Sequence, residues 1–205
     1  MKKILPEDFN IPQFEKFIDG LKKVVVLAGA PLIGKSECLK KVLRFLAQKA
    51  EFKYLAVAGK GRQTRCHYPT NQINLDDGLD YIAVFKYGTK NIAIVTRGDN
   101  GSVMRDDFGV IAKFKCDILF CASRSGINST HAENDFSSGW HTISTIRFLQ
   151  EMARKRLVSG NPLEMIPYYK ILNPSLYNDN DLRANYENNM QIAKHLIALA
   201  GIGGI

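Results

Sequence analysis

Eight residues constrain this chain more than any other stretch: Gly29-Ala30-Pro31-Leu32-Ile33-Gly34-Lys35-Ser36, a run of the form G-x-x-x-x-G-K-[ST]. Before it stands Val24-Val25-Val26-Leu27-Ala28, a continuous apolar run that fits a central strand covered on both faces. After it, Cys38, Leu39, Val42, Leu43 and Leu46 recur at helical spacing and predict a helix from about Lys35 to Lys49. Glycines between a strand and a helix let the loop wrap back, so that backbone N–H groups converge on an anion. The helix adds the positive end of its dipole at the same point.

The rest of the chain alternates strands with helices. Residues 1–22 read as an amphipathic lead-in with a short helix starting near Pro12. Phe52 to Ala58 predicts a second strand. Tyr81 to Tyr87 and Asn91 to Thr96, separated by Gly88-Thr89-Lys90, give a hairpin signal. Hairpin strands are antiparallel, so the first is expected at an edge of an otherwise parallel sheet. Residues 101–114 carry Val103, Met104, Phe108, Ile111 and Phe114 at helical intervals, and Asp117 to Ala122 is another buried-strand run. Ser123 to Ser138 is the longest loop candidate, and Trp140 to Arg156 has a helical period. Met165 to Leu172 reads as a last strand, Asp181 to Ala200 as a final amphipathic helix, and 201–205 as a frayed tail. The expectation is an α/β fold: a three-layer α/β/α sandwich with a mostly parallel sheet and an antiparallel edge hairpin. A chain of 205 residues fits one such domain over 1–205, with 1–22 as its lead-in and 181–205 as its terminal helix and tail.

With its strand and helix in place, the 29–36 motif resembles that of the P-loop, or Walker A, NTPase superfamily; no subfamily is identified. The resemblance implies that the backbone of Gly29, Ala30, Pro31, Leu32, Ile33 and Gly34 cradles phosphates. It implies that Lys35 reaches the β and γ phosphates and that the Ser36 hydroxyl ligates Mg²⁺. It also asks for a carboxylate at the end of a neighbouring strand. Ile92-Ala93-Ile94-Val95-Thr96-Arg97-Gly98-Asp99 supplies Asp99, which looks like a divergent Walker B acid for Mg²⁺. It departs from the pattern because it lies a few residues beyond the strand, in Gly-Asp-Asn-Gly, which is good turn chemistry by itself.

Ser123 and Arg124 end the Ile118–Cys121 strand, at the edge where α/β sheets take their ligands. Arg124 is the candidate to stabilise charge on the transferred phosphoryl, and Arg97 is a similar one. Arg62 and Arg65 follow the second strand and are the hint of an acceptor substrate. The hairpin also has a likeness to the small GTPases, but their guanine-reading N-K-x-D motif is missing. Phe114-Lys115-Cys116-Asp117 has the lysine and aspartate without the Asn, and it precedes a strand. ATP is therefore favoured over GTP.

Charge raises another class of partner. Between Lys35 and Arg65 stand nine basic residues (Lys35, Lys40, Lys41, Arg44, Lys49, Lys53, Lys60, Arg62, Arg65) against Glu37 and Glu51, a balance of +7 within a net charge of +8. Such a field suits a polyanion, nucleic acid included, or is simply a solvated helix face. No nucleic-acid-binding signature accompanies it. Cys38, Cys66, Cys116 and Cys121 match no zinc spacing, nor do His67, His131, His141 and His195, and buried thiols are expected. No apolar run is long enough for a membrane span, and Met1 to Asn10 lacks the apolar core of a signal peptide, so the expected compartment is the cytoplasm.

The sequence thus points to a P-loop NTPase that binds ATP with Mg²⁺ and transfers phosphoryl to water. The alternatives are a kinase acting on a small molecule or nucleotide, and a nucleotide-binding interaction protein contacting nucleic acid. Glu133 is the one acid noted for activating water, and no motif surrounds it.

Overall fold

The computed structural model describes residues 19–29, 33–58, 63–65, 79–97, 107–109, 111–124, 145–170 and 182–203. In chain order the elements are β1 (Lys23–Gly29), α1 (Lys35–Lys49), β2 (Glu51–Ala58), β3 (Gln63–Arg65), β4 (Asp80–Tyr87), β5 (Lys90–Val95), β6 (Ile118–Arg124), α2 (Thr145–Val158), β7 (Glu164–Tyr169) and α3 (Leu182–Leu199). Residues 107–109 and 111–113 are also helical. The lead-in before residue 19, Cys66 and the 125–144 stretch lie outside the described residues.

The apolar strands are buried because both faces of the sheet are covered. Side chains alternate along a strand, so Val24, Val26 and Ala28 pack with Phe108, Ile111, Ile146, Leu149 and Met152 on one face. Val25 and Leu27 pack with Cys38, Leu39, Val42, Leu43 and Leu46 of α1 and with Ala193, Leu196 and Ile197 of α3 on the other. The class is α/β, with α2 on one face of the sheet and α1 and α3 on the other. No helix among the described residues is long and apolar enough to cross a membrane.

The sheet is mixed, in the order β3-β2-β4-β5-β6-β1-β7. The pairs β5–β6, β6–β1 and β1–β7 are parallel, while β3–β2, β2–β4 and β4–β5 are antiparallel. The sheet is therefore not mostly parallel, and although the β4–β5 hairpin exists, its first strand is not an edge. After α1 the chain returns as β2 and pairs antiparallel along β4, from Glu51 opposite Lys86 to Ala58 opposite Asp80. The continuous burial of Tyr81 to Phe85 is the physical reason, since a strand apolar on both faces sits inside a sheet. The edges are the short β3 and the partly exposed β7. The latter carries Pro167, tolerated on an edge where a missing N–H costs no ladder bond on its open side.

Two further expectations are corrected. Residues 201–203 are not frayed. Gly201 has φ of 69°, its N–H donates to the Ala198 carbonyl at 2.9 Å and the Ile202 N–H to Ile197 at 3.3 Å, a closing turn that suits glycine. Ile202 then inserts into the core, and the Tyr87 hydroxyl donates to the Gly203 carbonyl at 2.6 Å. Nor are Lys40 and Lys41 on a solvated face, for both are buried. The Lys40 ammonium reaches Glu37 at 2.9 Å and stands 6.0 Å from the ring centroid of Tyr81 in β4. A long aliphatic stem lets a charged residue cover apolar surface in this way.

Candidate functional site

Parallel pairing brings four strand ends to one edge. In register, Gly29 of β1 stands opposite Arg124 of β6, Val95 of β5 opposite Cys121, and Tyr169 of β7 opposite Ala28. Antiparallel β4 contributes its first residue, Asp80, to the same edge, since Ile82 pairs with Val95. The 29–36 loop leaves the sheet here.

The described part of the loop is its two ends. At Gly29 a Cβ would come 2.3 Å from Ile33 Cδ1 and 2.7 Å from the Lys170 carbonyl oxygen, so no other residue fits without displacing backbone. Gly34 is the N-cap of α1 in the left-handed conformation, φ 75° and ψ 29°, a region that costs other residues energy. It has no side chain to cap the helix, and the first N–H groups of an α-helix have no acceptor within it. Glu37, the acid of the first turn, pairs with Lys40. The Lys35 ammonium turns back and donates to the Gly29 carbonyl at 3.0 Å, which ties the two ends of the loop together. The Ser36 hydroxyl donates to the Thr96 carbonyl at 2.9 Å. A hydroxyl that gives its proton to a carbonyl keeps its oxygen lone pairs for a cation. Ala30, Pro31 and Leu32 lie outside the described residues.

Thr96 is fully buried and links the elements around this point. Its Oγ1 accepts the Tyr81 N–H at 2.8 Å and donates to the Asp80 carboxylate at 3.0 Å. Asp80 is thus a carboxylate that Thr96 links to Ser36 by hydrogen bonds. Sequence reading passed over it because the hairpin was set at the sheet edge; the reversed direction of β4 was the available signal. Asp99 falls outside the described residues. Its strand is not the immediate neighbour of β1 either, because β6 runs between β1 and β5.

Comparison of the chain with known protein families, curated proteins and solved structures gives no match.

The arginine and serine candidates divide. Arg124 ends β6 beside Gly29, which places its backbone at the loop. Ser123 does not face the loop. It is buried, and its Oγ accepts the Ile146 N–H at 3.0 Å, capping the first turn of α2 from across the sheet edge. Arg97 is held by Asp107, with Nε to Oδ2 and Nη2 to Oδ1 both at 2.8 Å. Asp107 has no exposure, so this fork is an ion pair that ties the end of β5 to a helical residue. Arg65 is in β3 and Arg62 lies outside the described residues. Lys115 and Asp117 precede β6 and so stand at the opposite edge of the sheet from the loop. There Asp117 takes the Lys22 ammonium and the Asn91 N–H, both at 2.9 Å.

A second group borders the loop, and the sequence did not single it out. Lys170 follows β7, and its N–H donates to the Ala28 carbonyl at 2.8 Å. Its ammonium donates to Asn189 Oδ1 of α3 at 2.6 Å and to Cys38 Sγ at 3.5 Å, while the Cys38 thiol donates to Asn189 at 3.1 Å. The rule that ligands gather at strand carboxyl ends, applied to β7, would have found it. Burial raises the Cys38 thiol above its ordinary range against the lowering pull of Lys170. Burial pushes Cys116 and Cys121 up to about 12. These three thiols stay protonated and behave as core residues.

Proposed function

We propose that this chain is a P-loop nucleotide-binding protein that takes ATP with Mg²⁺ at residues 29–36 and transfers the γ-phosphoryl to water. One observation carries the reading: the two described ends of the loop between β1 and α1 are tied together, with left-handed Gly34 at the helix start and the Lys35 ammonium bonded to the Gly29 carbonyl. That geometry supports a polyphosphate because an ammonium, a helix dipole and the first-turn N–H groups address one small region.

The residues also fit the metal. Ser36 would hold Mg²⁺ through its hydroxyl oxygen, with phosphate oxygens and water completing the shell, and Asp99 is the proposed acid beyond it. Bound there, Mg²⁺ would neutralise charge on the phosphates. Lys35 would exchange its bond to Gly29 for the β and γ phosphates. Arg124, at the end of β6, is proposed to meet the charge that develops on the transferred group. Arg97 is paired with Asp107, which favours Arg124 over it for this role.

Calorimetric titration of ATP, GTP, ADP and AMP, with and without Mg²⁺, tests the reading on wild type and Lys35→Ala. Mg²⁺-dependent binding of ATP that Lys35→Ala abolishes, with the fold retained by circular dichroism, is the expected result. A variant that binds ATP–Mg²⁺ as tightly as wild type would show that this loop is not the site. Release of free phosphate, rather than formation of a phosphorylated acceptor, checks the proposed reaction.

A further inference from the structure

We propose that Lys170 is a second phosphate-binding cation of the 29–36 site, held over the start of α1 by Asn189; this rests on the P-loop reading above. The position of Lys170 supports it first. As the residue after β7, bonded through its N–H to Ala28, it stands beside the residue from which the loop departs.

The loop glycines supply the second support. A Cβ on Gly29 would meet the Lys170 carbonyl at 2.7 Å, and a Cβ on Gly34 would lie 3.3 Å from the Lys170 ammonium. Both ends of the loop therefore pack against this one residue, and its charge lies over the left-handed N-cap of α1.

Charge supplies the third. A cation at a helix N-terminus opposes the helix dipole, and Lys35 brings another to the same turn. The hydrogen-bond partners of the Lys170 ammonium among the described residues are neutral, the Asn189 amide oxygen and the Cys38 thiol. Glu37 of the same turn pairs with Lys40, so two ammonium groups face the positive end of the dipole at a cost in stability, and a phosphate chain in the loop offsets that cost. Four methylenes let the ammonium swing from Asn189 to a phosphate oxygen while the backbone stays bonded to Ala28. Asn189 positions the side chain and touches no phosphate in this scheme.

The test is calorimetric titration of ATP and ADP with Mg²⁺ into wild type, Lys35→Ala, Lys170→Met and Lys170→Arg, together with the unfolding midpoint of each chain without nucleotide. Lys170→Met is expected to weaken ATP binding by at least about tenfold, the worth of one charge-assisted bond. Lys170→Arg is expected to stay within about threefold of wild type, because it keeps the charge. Without nucleotide, Lys170→Met should unfold no lower than wild type, since the opposing charge is gone. Unchanged ATP affinity in Lys170→Met, with binding lost in Lys35→Ala, would overturn the Lys170 assignment and leave the P-loop reading standing. An equal loss in both Lys170 variants with a lowered unfolding midpoint would reduce Lys170 to a packing residue and overturn it too. A wild-type chain that binds neither nucleotide, or a Lys35→Ala chain that still does, would bring down the P-loop reading and this inference together.

Discussion

Ser36 and Thr96, sixty residues apart, are joined by a 2.9 Å hydrogen bond from the serine hydroxyl to the threonine carbonyl. The bond joins the helix that follows β1 to the residue that follows β5, although β6 lies between those two strands in the sheet. It fixes the first turn of α1 against the point where β5 stops, so the lysine and the serine of the loop are oriented by the sheet and not by the loop alone.

Thr96→Val should destabilise the chain by about 1–3 kcal/mol. Valine keeps the shape but removes the acceptor for the buried Tyr81 N–H and the donor to Asp80. The carbonyl that Ser36 uses survives, so ATP affinity should fall less than in Ser36→Ala. Urea unfolding with an unchanged slope, beside the nucleotide titration, checks both points.

Arg97→Ala should cost about 3–5 kcal/mol, because it removes the forked cation from a carboxylate that has no exposure. A double variant, Arg97→Met with Asp107→Leu, should recover much of that loss. Were Arg97→Ala instead to abolish phosphoryl transfer at wild-type stability, the arginine would belong to the reaction after all. Chemical denaturation and an activity assay on the same preparations separate the two.

Asp117 makes stability depend on pH. Burial pushes its carboxyl up, but the Lys22 ammonium, the Asn91 N–H and Lys90 outweigh burial and hold it below the ordinary carboxylate range. A folded-state value below the unfolded one gives stability that is present at neutral pH and lost as pH falls through the folded value. Asp117→Asn should therefore lower the urea midpoint at pH 7. The gap from wild type should narrow below about pH 4. The residue is about one-fifth exposed, so the effect is a fraction of that of a fully buried pair.

Much of the fold is legible because the period of burial is local. The helix expected over 35–49 is α1, bounded by Gly34 and by the extended Ala50. The Val24–Ala28 run is β1 for the same reason, that an element covered on two faces has no polar side to show. The hairpin was equally local. What failed was the place of that hairpin in the sheet. Pairing of β2 with β4 joins residues that no turn signal connects, and it moved β4 inside and turned Asp80 toward the loop. The tail failed in the opposite way. Gly201 and Gly203 read as disorder by composition, yet Ile202 has a core pocket to fill.

The sequence by itself determined the strand and the helix on either side of the 29–36 loop, because strand, glycines, lysine and helix are contiguous and their geometry follows from backbone freedom and apolar period. Only the tertiary structure decided what surrounds that loop. From sequence Arg97 reads as a phosphate-facing candidate or a surface arginine, and Asp107, ten residues away, took it. Ser123 went to cap α2. Lys170 and Asn189 came to Gly34 because β7 pairs with β1 and α3 packs beside α1. Such contacts depend on which strands lie side by side and which helices share a face. The long-range burial of apolar area sets those choices, and no spacing along the chain records them.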